Sequence, residues 1–382
     1  MKIVIYSLIL NQHQAPLAND LWELTGHEFC FVELCNMTGI HKKGDTNDYS
    51  DCLYLLRAWE SSEAYTKAME LAQTAEVCIF AGAQSLPFMR ERLKLGLLSF
   101  DMGERWLKKG LSNMLSPNLL KIFMAYHLRG WKSKPLYKLC MSAFAKEDYE
   151  RLRMYKCKCF KWGYFTQVDD LSCLKGSKFQ KFQIENVVRL MWCARFIDWK
   201  HPEMPILLAN RLKENGCRFH LAMYGDGPLR EKMEQLVNEL GLRDYVHFMG
   251  NVPNEIIHQT MRETHIFLFT SDREEGWGAV ANEAMSEGCL LIGADEIGAV
   301  PYLVKDGENG FVFKSKDLNS LYEKVSWAIE HQDEARSMAK NGQKHIYNVW
   351  SPRNAALSLM QLINDLSNGK DTSVTEGPCS KA

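Results

Sequence analysis

The sequence predicts an α/β protein built as two parallel-sheet domains, and three observations carry that expectation. Short apolar runs alternate with helix-forming stretches in two separate parts of the chain, as strands joined by crossover helices do. A polar stretch from about Tyr164 to Gln183, where hydrophobic periodicity fades, parts the two series. The length, 382 residues, exceeds what one core accommodates, since single cores stop growing near ~250–300 residues.

Lys2 to Leu10 opens the first series as a strand. It is too short for a signal sequence and has no small-residue cleavage site. Leu17 to Leu24 reads as the helix after it, and Glu28 to Leu34 as the second strand. Ser61 to Gln73 is a helix leading into the strand Glu76 to Phe80, with Gly82 just beyond, and Leu86 to Leu95 is a further helix. The second series starts at Val187 to Trp192. It runs through His201 to Glu214, Phe219 to Met223, Pro228 to Glu239, Tyr245 to Phe248, His265 to Thr270, Leu290 to Ile292 and Leu318 to His331. The domain plan is 1–165, a linker at 166–186, a second domain at 187–349, and a last helix at 350–366. The polar residues 367–382 are expected to be disordered.

The most informative stretch is Glu275-Gly-Trp-Gly-Ala-Val-Ala-Asn-Glu283. Before it lies the apolar run His265 to Thr270, of the kind that fills a buried parallel strand. After it, Ala279 to Glu287 carries good helix formers and stops at Gly288. Strand, acidic glycine loop and helix follow in that order, and in open α/β sheets ligands bind at such loops. Two spaced carboxylates alone describe many surface loops. The buried strand before this pair and the Gly-Trp-Gly within it point to a ligand site instead. Glu275 and Glu283 can accept hydrogen bonds from sugar or ribose hydroxyls, Gly276 and Gly278 let a ligand approach the backbone, and the helix N-terminus can face an anion.

Glu275 to Glu283 resembles the Glu-x7-Glu signature of retaining glycosyltransferases of family 4. Cys193-Ala-Arg-Phe-Ile-Asp-Trp-Lys200 is similar to that family's Gly-Arg-Leu-x-x-x-Lys stretch, with Ala194 in place of glycine. Tyr224-Gly-Asp-Gly-Pro228 resembles its Gly-x-Gly-Pro loop, and Phe248 to Val252 the strand end beside the nucleotide base. Gly298 to Tyr302 and Asp306 to Phe311 resemble its closing loops, with Tyr302 where the family often has Glu. The resemblance is strong over about Val187 to Phe313. It implies the GT-B fold: two Rossmann-like domains facing across a cleft, with the C-terminal helix crossing back to the N-terminal domain. It implies a nucleotide-diphosphate sugar, UDP- or GDP-linked, as co-substrate, and glycosyl transfer with retention. Arg195 and Lys200 would stabilise the leaving diphosphate, and Glu275 would hold sugar hydroxyls. Glu283 would hold the ribose, with Gly225, Gly227, Val252, Gly276, Trp277 and Gly278 lining the donor. No cofactor or metal is expected, because the cations do a metal's work and Asp169-Asp170 is adjacent rather than spaced. A catalytically silent nucleotide-sugar-binding subunit and a sugar-nucleotide epimerase are the competing readings.

Net charge is −1, which gives no general pull toward nucleic acid. The twelve cysteines lack metal-ligand spacing and point to a reducing cytoplasm. No run of about 18 apolar residues spans a membrane. From Arg105 to Lys146, however, there is no Asp or Glu, while nine Lys and Arg interleave with aromatics and leucines. This favours contact with an anionic membrane at its inner face, or with a polyprenyl-diphosphate, over a solvated basic face or a groove for a phosphorylated acceptor. A lipid-linked or polysaccharide acceptor follows from that expectation. On the acceptor side, His13 follows the first strand and either touches a ligand or holds its loop. Asp101 or Glu104 is placed to assist an acceptor hydroxyl, unless Glu104 simply pairs with Arg105.

Overall fold

The computed structural model describes residues 1–36, 47–168 and 187–382. They form two compact units, Met1–Gln167 with Val349–Ala382, and Val168–Asn348. Most of the expected linker, with Asp169 and Asp170, lies outside the described residues.

The first unit begins with β1 (Ile3–Ser7), α1 (Ala15–Leu24), β2 (Phe29–Glu33), β3 (Leu55–Arg57), α2 (Ser62–Thr74) and β4 (Val77–Ala81). It continues with α3 (Leu86–Lys94), β5 (Ser99–Gly103), α4 (Pro117–Leu128), β6 (Leu136–Cys140), α5 (Ala145–Arg151) and β7 (Cys159–Lys161). All five residues of β1 are buried, as expected of a parallel strand covered on both faces. The Ser61 side chain accepts from the Ala64 amide and so caps α2. The sheet order is β3-β2-β1-β4-β5-β6-β7. It turns back between β1 and β4, which makes the carboxyl ends of those two strands the switch point of this unit.

The second unit opens with β8 (Val188–Cys193), α6 (Glu203–Glu214), β9 (Phe219–Tyr224), α7 (Arg230–Glu239), β10 (Val246–Gly250) and α8 (Asn254–Glu263). Then come β11 (Ile266–Phe269), α9 (Val280–Ser286), β12 (Leu290–Ala294), α10 (Val300–Leu303), β13 (Phe311–Phe313), α11 (Leu318–Glu330) and α12 (Gln332–Asn348). The parallel order β10-β9-β8-β11-β12-β13 turns back between β8 and β11. The last helix, α13 (Pro352–Ser367), belongs to the first unit and lies against α1. Its Arg353 reaches Asp20 and Glu23 at 3.3 Å each.

One expectation is corrected. Residues 367–382 are seated rather than disordered. Cys379 is fully buried, its amide donates to the Lys161 carbonyl (2.8 Å), and the Lys161 amide donates to the Ser380 carbonyl (2.8 Å). Polar composition concealed this because the tail satisfies the open edge of β7 with backbone groups, which carry no sequence signal. Two cations of the acid-free stretch do not reach its surface. Lys138 is buried on β6 against Asp101 (3.0 Å), and Arg105 is buried against Asp148 (3.1 Å). Among the described residues, no helix is long and apolar enough to cross a membrane.

Candidate functional site

The switch point of the second unit gathers the loops that follow β8 and β11. After β8 the chain passes Arg195 and enters a single tight turn, Asp198–Lys200, ending at His201 in the left-handed region (φ 49°). Thr270, at the end of β11, holds this turn. Its hydroxyl accepts from Trp192 Nε1 (2.9 Å) and donates to the Lys200 carbonyl (2.8 Å). The Asp272 amide donates to the Trp199 carbonyl (3.0 Å). Two loops from different strands are thus tied together by hydrogen bonds before any charged contact is considered.

The charged groups converge on that frame. Trp199 carries both cations over its ring, with Lys200 Nζ 4.5 Å and the Arg195 guanidinium 6.0 Å from the ring centre. Arg195 is exposed, whereas Lys200 and Glu275 are an ion pair with side chains 12% and 11% exposed. Beside them His201 bridges Glu203 (2.9 Å) and Asp272 (3.1 Å), and Lys316 reaches Asp272 at 2.8 Å. The hydrogen bond to Glu203 raises the His201 pKa above its ordinary value against the opposing effect of burial, and Asp272 adds to the rise. Burial works to raise the Asp272 carboxyl, yet Lys316, the Glu274 amide and His201 hold it below the ordinary range.

Glycines bring a second loop against the first. Gly225 has φ +112°, and a Cβ there would lie 2.0 Å from the Ala194 carbonyl oxygen; at Gly227 one would lie 2.6 Å from that of Phe196. Only glycine lets the β9 loop close on the β8 loop this tightly. Val252 lies half-buried beyond β10. Glu283 sits in the first turn of α9 and is buried. Burial, and then the nearby Glu283 carboxylate, push the Cys193 thiol up to about 12, so Glu283 lies close to the end of β8. Gly276 is buried beside Glu275. Trp277 is corrected: its side chain is fully buried and donates to Asn282 Oδ1 (2.9 Å). A buried indole N–H needs an internal partner, so this residue anchors the loop from inside rather than lining a ligand.

Residues 176–345 match the family model described as glycosyl transferases group 1. The second unit thus carries a glycosyl transferases group 1 domain. This group 1 domain is 27% identical over 150 residues to the uncharacterized glycosyltransferase MJ1178 of Methanocaldococcus jannaschii, covering 39% of this chain and 42% of that relative. It is 38% identical over 104 residues to the putative glycosyltransferase EpsF of Bacillus subtilis, covering 27% and 26%. The chain thus spans less than half the length of either curated relative. In structure, Anabaena HepE in complex with UDP superposes with a TM-score of 0.69 at 16% identity, over 96% of this chain and 100% of that one. The fold is GT-B.

Outside the group 1 domain, the candidates of the first unit separate. His13 lies at the switch point after β1, with its amide donating to Asn11 Oδ1 (3.0 Å) and its ring 5.9 Å from that of Tyr164. A pocket of about 270 Å³ opens there, lined by Ser7, Asn11, Gln14, Cys35, Gln84 and Tyr164 among others. Asp101 is corrected as an acceptor-side group. It is a buried strand residue whose carboxylate takes Lys138 (3.0 Å) and the Tyr155 hydroxyl (2.6 Å). Glu104 pairs with Lys108 (2.5 Å) rather than with Arg105. Sequence reasoning passed over Thr270, Trp199 and His201, which organise the group 1 site. The available signal was a Thr-Ser-Asp run directly after an apolar strand, since a buried strand end rarely turns polar without a bonding role.

Proposed function

We propose that the chain is a retaining glycosyltransferase that moves a sugar from a nucleotide-diphosphate donor to a lipid-linked or polysaccharide acceptor. One observation carries this reading: two cations from the β8 loop meet over Trp199 beside Glu275 from the β11 loop, at the switch point of a group 1 domain. As the glycosidic bond breaks, its electron pair leaves with the diphosphate, and Arg195 and Lys200 stabilise the charge that develops there. Lys200 exchanges Glu275 for phosphate when the donor enters, which frees Glu275 to accept from sugar hydroxyls. Glu283 takes the ribose, Gly276 lets the nucleotide lie close to backbone and Val252 stands beside the base, while Gly225 and Gly227 act by closing the β9 loop on the β8 loop and Gly278 by seating its loop on Phe269. The acceptor hydroxyl attacks the same face and yields its proton to the departing phosphate, so configuration is retained. The first unit receives the acceptor.

UDP-sugars are the first donors to test, because HepE has been solved with UDP-glucose; the GDP-mannose-dependent mannosyltransferase of Mycolicibacterium smegmatis among the relatives makes GDP-sugars the second. The experiment is hydrolysis of UDP-, GDP- and ADP-sugars without acceptor, with and without excess EDTA. Release of the nucleoside diphosphate with one donor, undiminished by EDTA, is the expected result. Nucleotide binding with no release from any donor points to a binding subunit, and an isomerised sugar nucleotide to an epimerase.

A further inference from the structure

α4 is apolar on the side that faces away from the core as well as on the side that faces it. Ala125 and Tyr126 are buried against the first unit, while Leu120, Met124 and Leu128, spaced four apart on the opposite face, are 45, 48 and 74% exposed. The 3-10 turn before the helix adds Leu111 and Leu115 at 70 and 83%. A surface helix ordinarily carries polar residues on that face. Of the thirteen exposed large apolar side chains among the described residues, five fall between Leu111 and Leu128, so they form a patch rather than scatter. A groove of about 480 Å³ between α3 and α4 extends it, with Leu86 and Trp131 beside Met124 and Leu128.

The exposed charges from Lys109 to Lys132, along the border of the exposed leucines, are all positive: Lys109, Lys121, Arg129 and Lys132. Glu91, which lines the groove, is paired with Lys94 (2.7 Å), and Glu104 is paired with Lys108. We propose that Leu111–Leu128 is a membrane-docking surface, in which the leucines enter the acyl boundary of an anionic bilayer and the border cations meet its headgroups. Such a surface buries an apolar face ~5–10 Å into the interface and adds attraction to anionic lipid. A second copy of the chain fits poorly, because a two-fold contact would set these cations against themselves. The surface does not depend on the transferase reading.

Cosedimentation with vesicles of phosphatidylcholine, with and without phosphatidylglycerol, tests it across a salt series. Wild type binds the anionic vesicles, more weakly as salt rises, and keeps a salt-resistant remainder from the leucines. Leu111→Ser, Leu115→Ser and Leu128→Ser together weaken binding about tenfold at every salt concentration. Lys121→Glu, Arg129→Glu and Lys132→Glu remove the preference for anionic lipid. The single Leu115→Ser, at a side chain open to solvent, moves binding in the same direction with an unchanged melting temperature. The proposal is overturned by wild type that stays in the supernatant, or by variants that sediment as wild type does. It is also overturned by light scattering that shows a dimer which the leucine variant dissolves. Donor hydrolysis, assayed separately, should be equal in all of these proteins. If hydrolysis is missing while vesicle binding holds, the transferase reading fails and the docking surface stands.

Discussion

The two units share a topology and differ in the chemistry it displays. Each sheet turns back once, between β1 and β4 or between β8 and β11, and each presents loops beyond the carboxyl ends of those strands. At the β8/β11 point those loops carry Arg195, Lys200, His201, Asp272 and Glu275, nearly all in charged contacts. At the β1/β4 point the pocket is lined by Ser7, Asn11, Gln14, Gln84 and Tyr164, polar but uncharged. Topology therefore decides where a ligand goes, and side chains decide which ligand. A diphosphate needs the first arrangement, whereas neutral hydroxyls suit the second.

The largest test of that contrast is to remove charge from the second unit. Arg195→Ala or Lys200→Ala should lower turnover about a hundredfold or more, ~3 kcal/mol, since each removes a contact that strengthens as the leaving group departs. Far-UV circular dichroism should stay unchanged, because Arg195 is exposed and the turn is held by Thr270 and backbone bonds. Near-normal turnover in either variant would place the diphosphate elsewhere. Lys138→Met offers the opposite outcome from a cation of the same sign. It leaves Asp101 buried without its counter-ion and should destabilise the first unit by about 3–5 kcal/mol in urea unfolding.

A smaller effect is expected at the neutral switch point. Gln14 Nε2 donates to Ser7 Oγ (3.1 Å), and its Oε1 has no hydrogen-bond partner among the described residues. Gln14 lines the pocket, and its amide can exchange Ser7 for a sugar hydroxyl. Gln14→Ala should raise the acceptor KM about fivefold, ~1 kcal/mol for one lost hydrogen bond, and leave donor hydrolysis alone. If it instead impaired donor hydrolysis as Lys200→Ala does, the division of labour between the two units would be wrong.

What was legible in the sequence follows from this difference. Parallel strands covered on both faces read as continuous apolar runs, so β1, β4, β8 and β11 showed themselves. The Glu275–Glu283 loop was legible because charge and glycine directly after such a run have few structural uses. Asp101 and Lys138 were not, since nothing in sequence shows that they are neighbours on adjacent strands and cancel each other inside the sheet. Trp277 misled for a related reason: an aromatic in a glycine loop reads the same whether it faces a ligand or the core. The tail escaped notice because its attachment to β7 is made by backbone, and Thr270 because one hydroxyl joining two loops leaves no periodicity.

The smallest effect is a pH dependence of the second unit, centred on the charged switch point. Glu203 foremost, with Asp272, raises His201 above the ordinary histidine value near 6.5. A histidine whose folded pKa exceeds its unfolded one adds stability that is fully present below the unfolded value. That stability is lost as pH rises through the folded value. The second unit should accordingly weaken as pH climbs from about 6 through the raised value, read as a falling urea midpoint. His258, raised chiefly by its hydrogen bond to Glu287, acts with the same sign, so His201→Gln should flatten the profile in part and His201→Gln with His258→Gln further. Asp272 is held below the ordinary carboxyl range, so its own contribution is lost only as pH falls into the acid range, outside this window. The first unit's pocket has neither histidine nor carboxylate among its lining residues. A profile unchanged by His201→Gln would mean that the bridge from Glu203 to Asp272 does not form in solution, and that the β8 and β11 loops are joined by Thr270 alone.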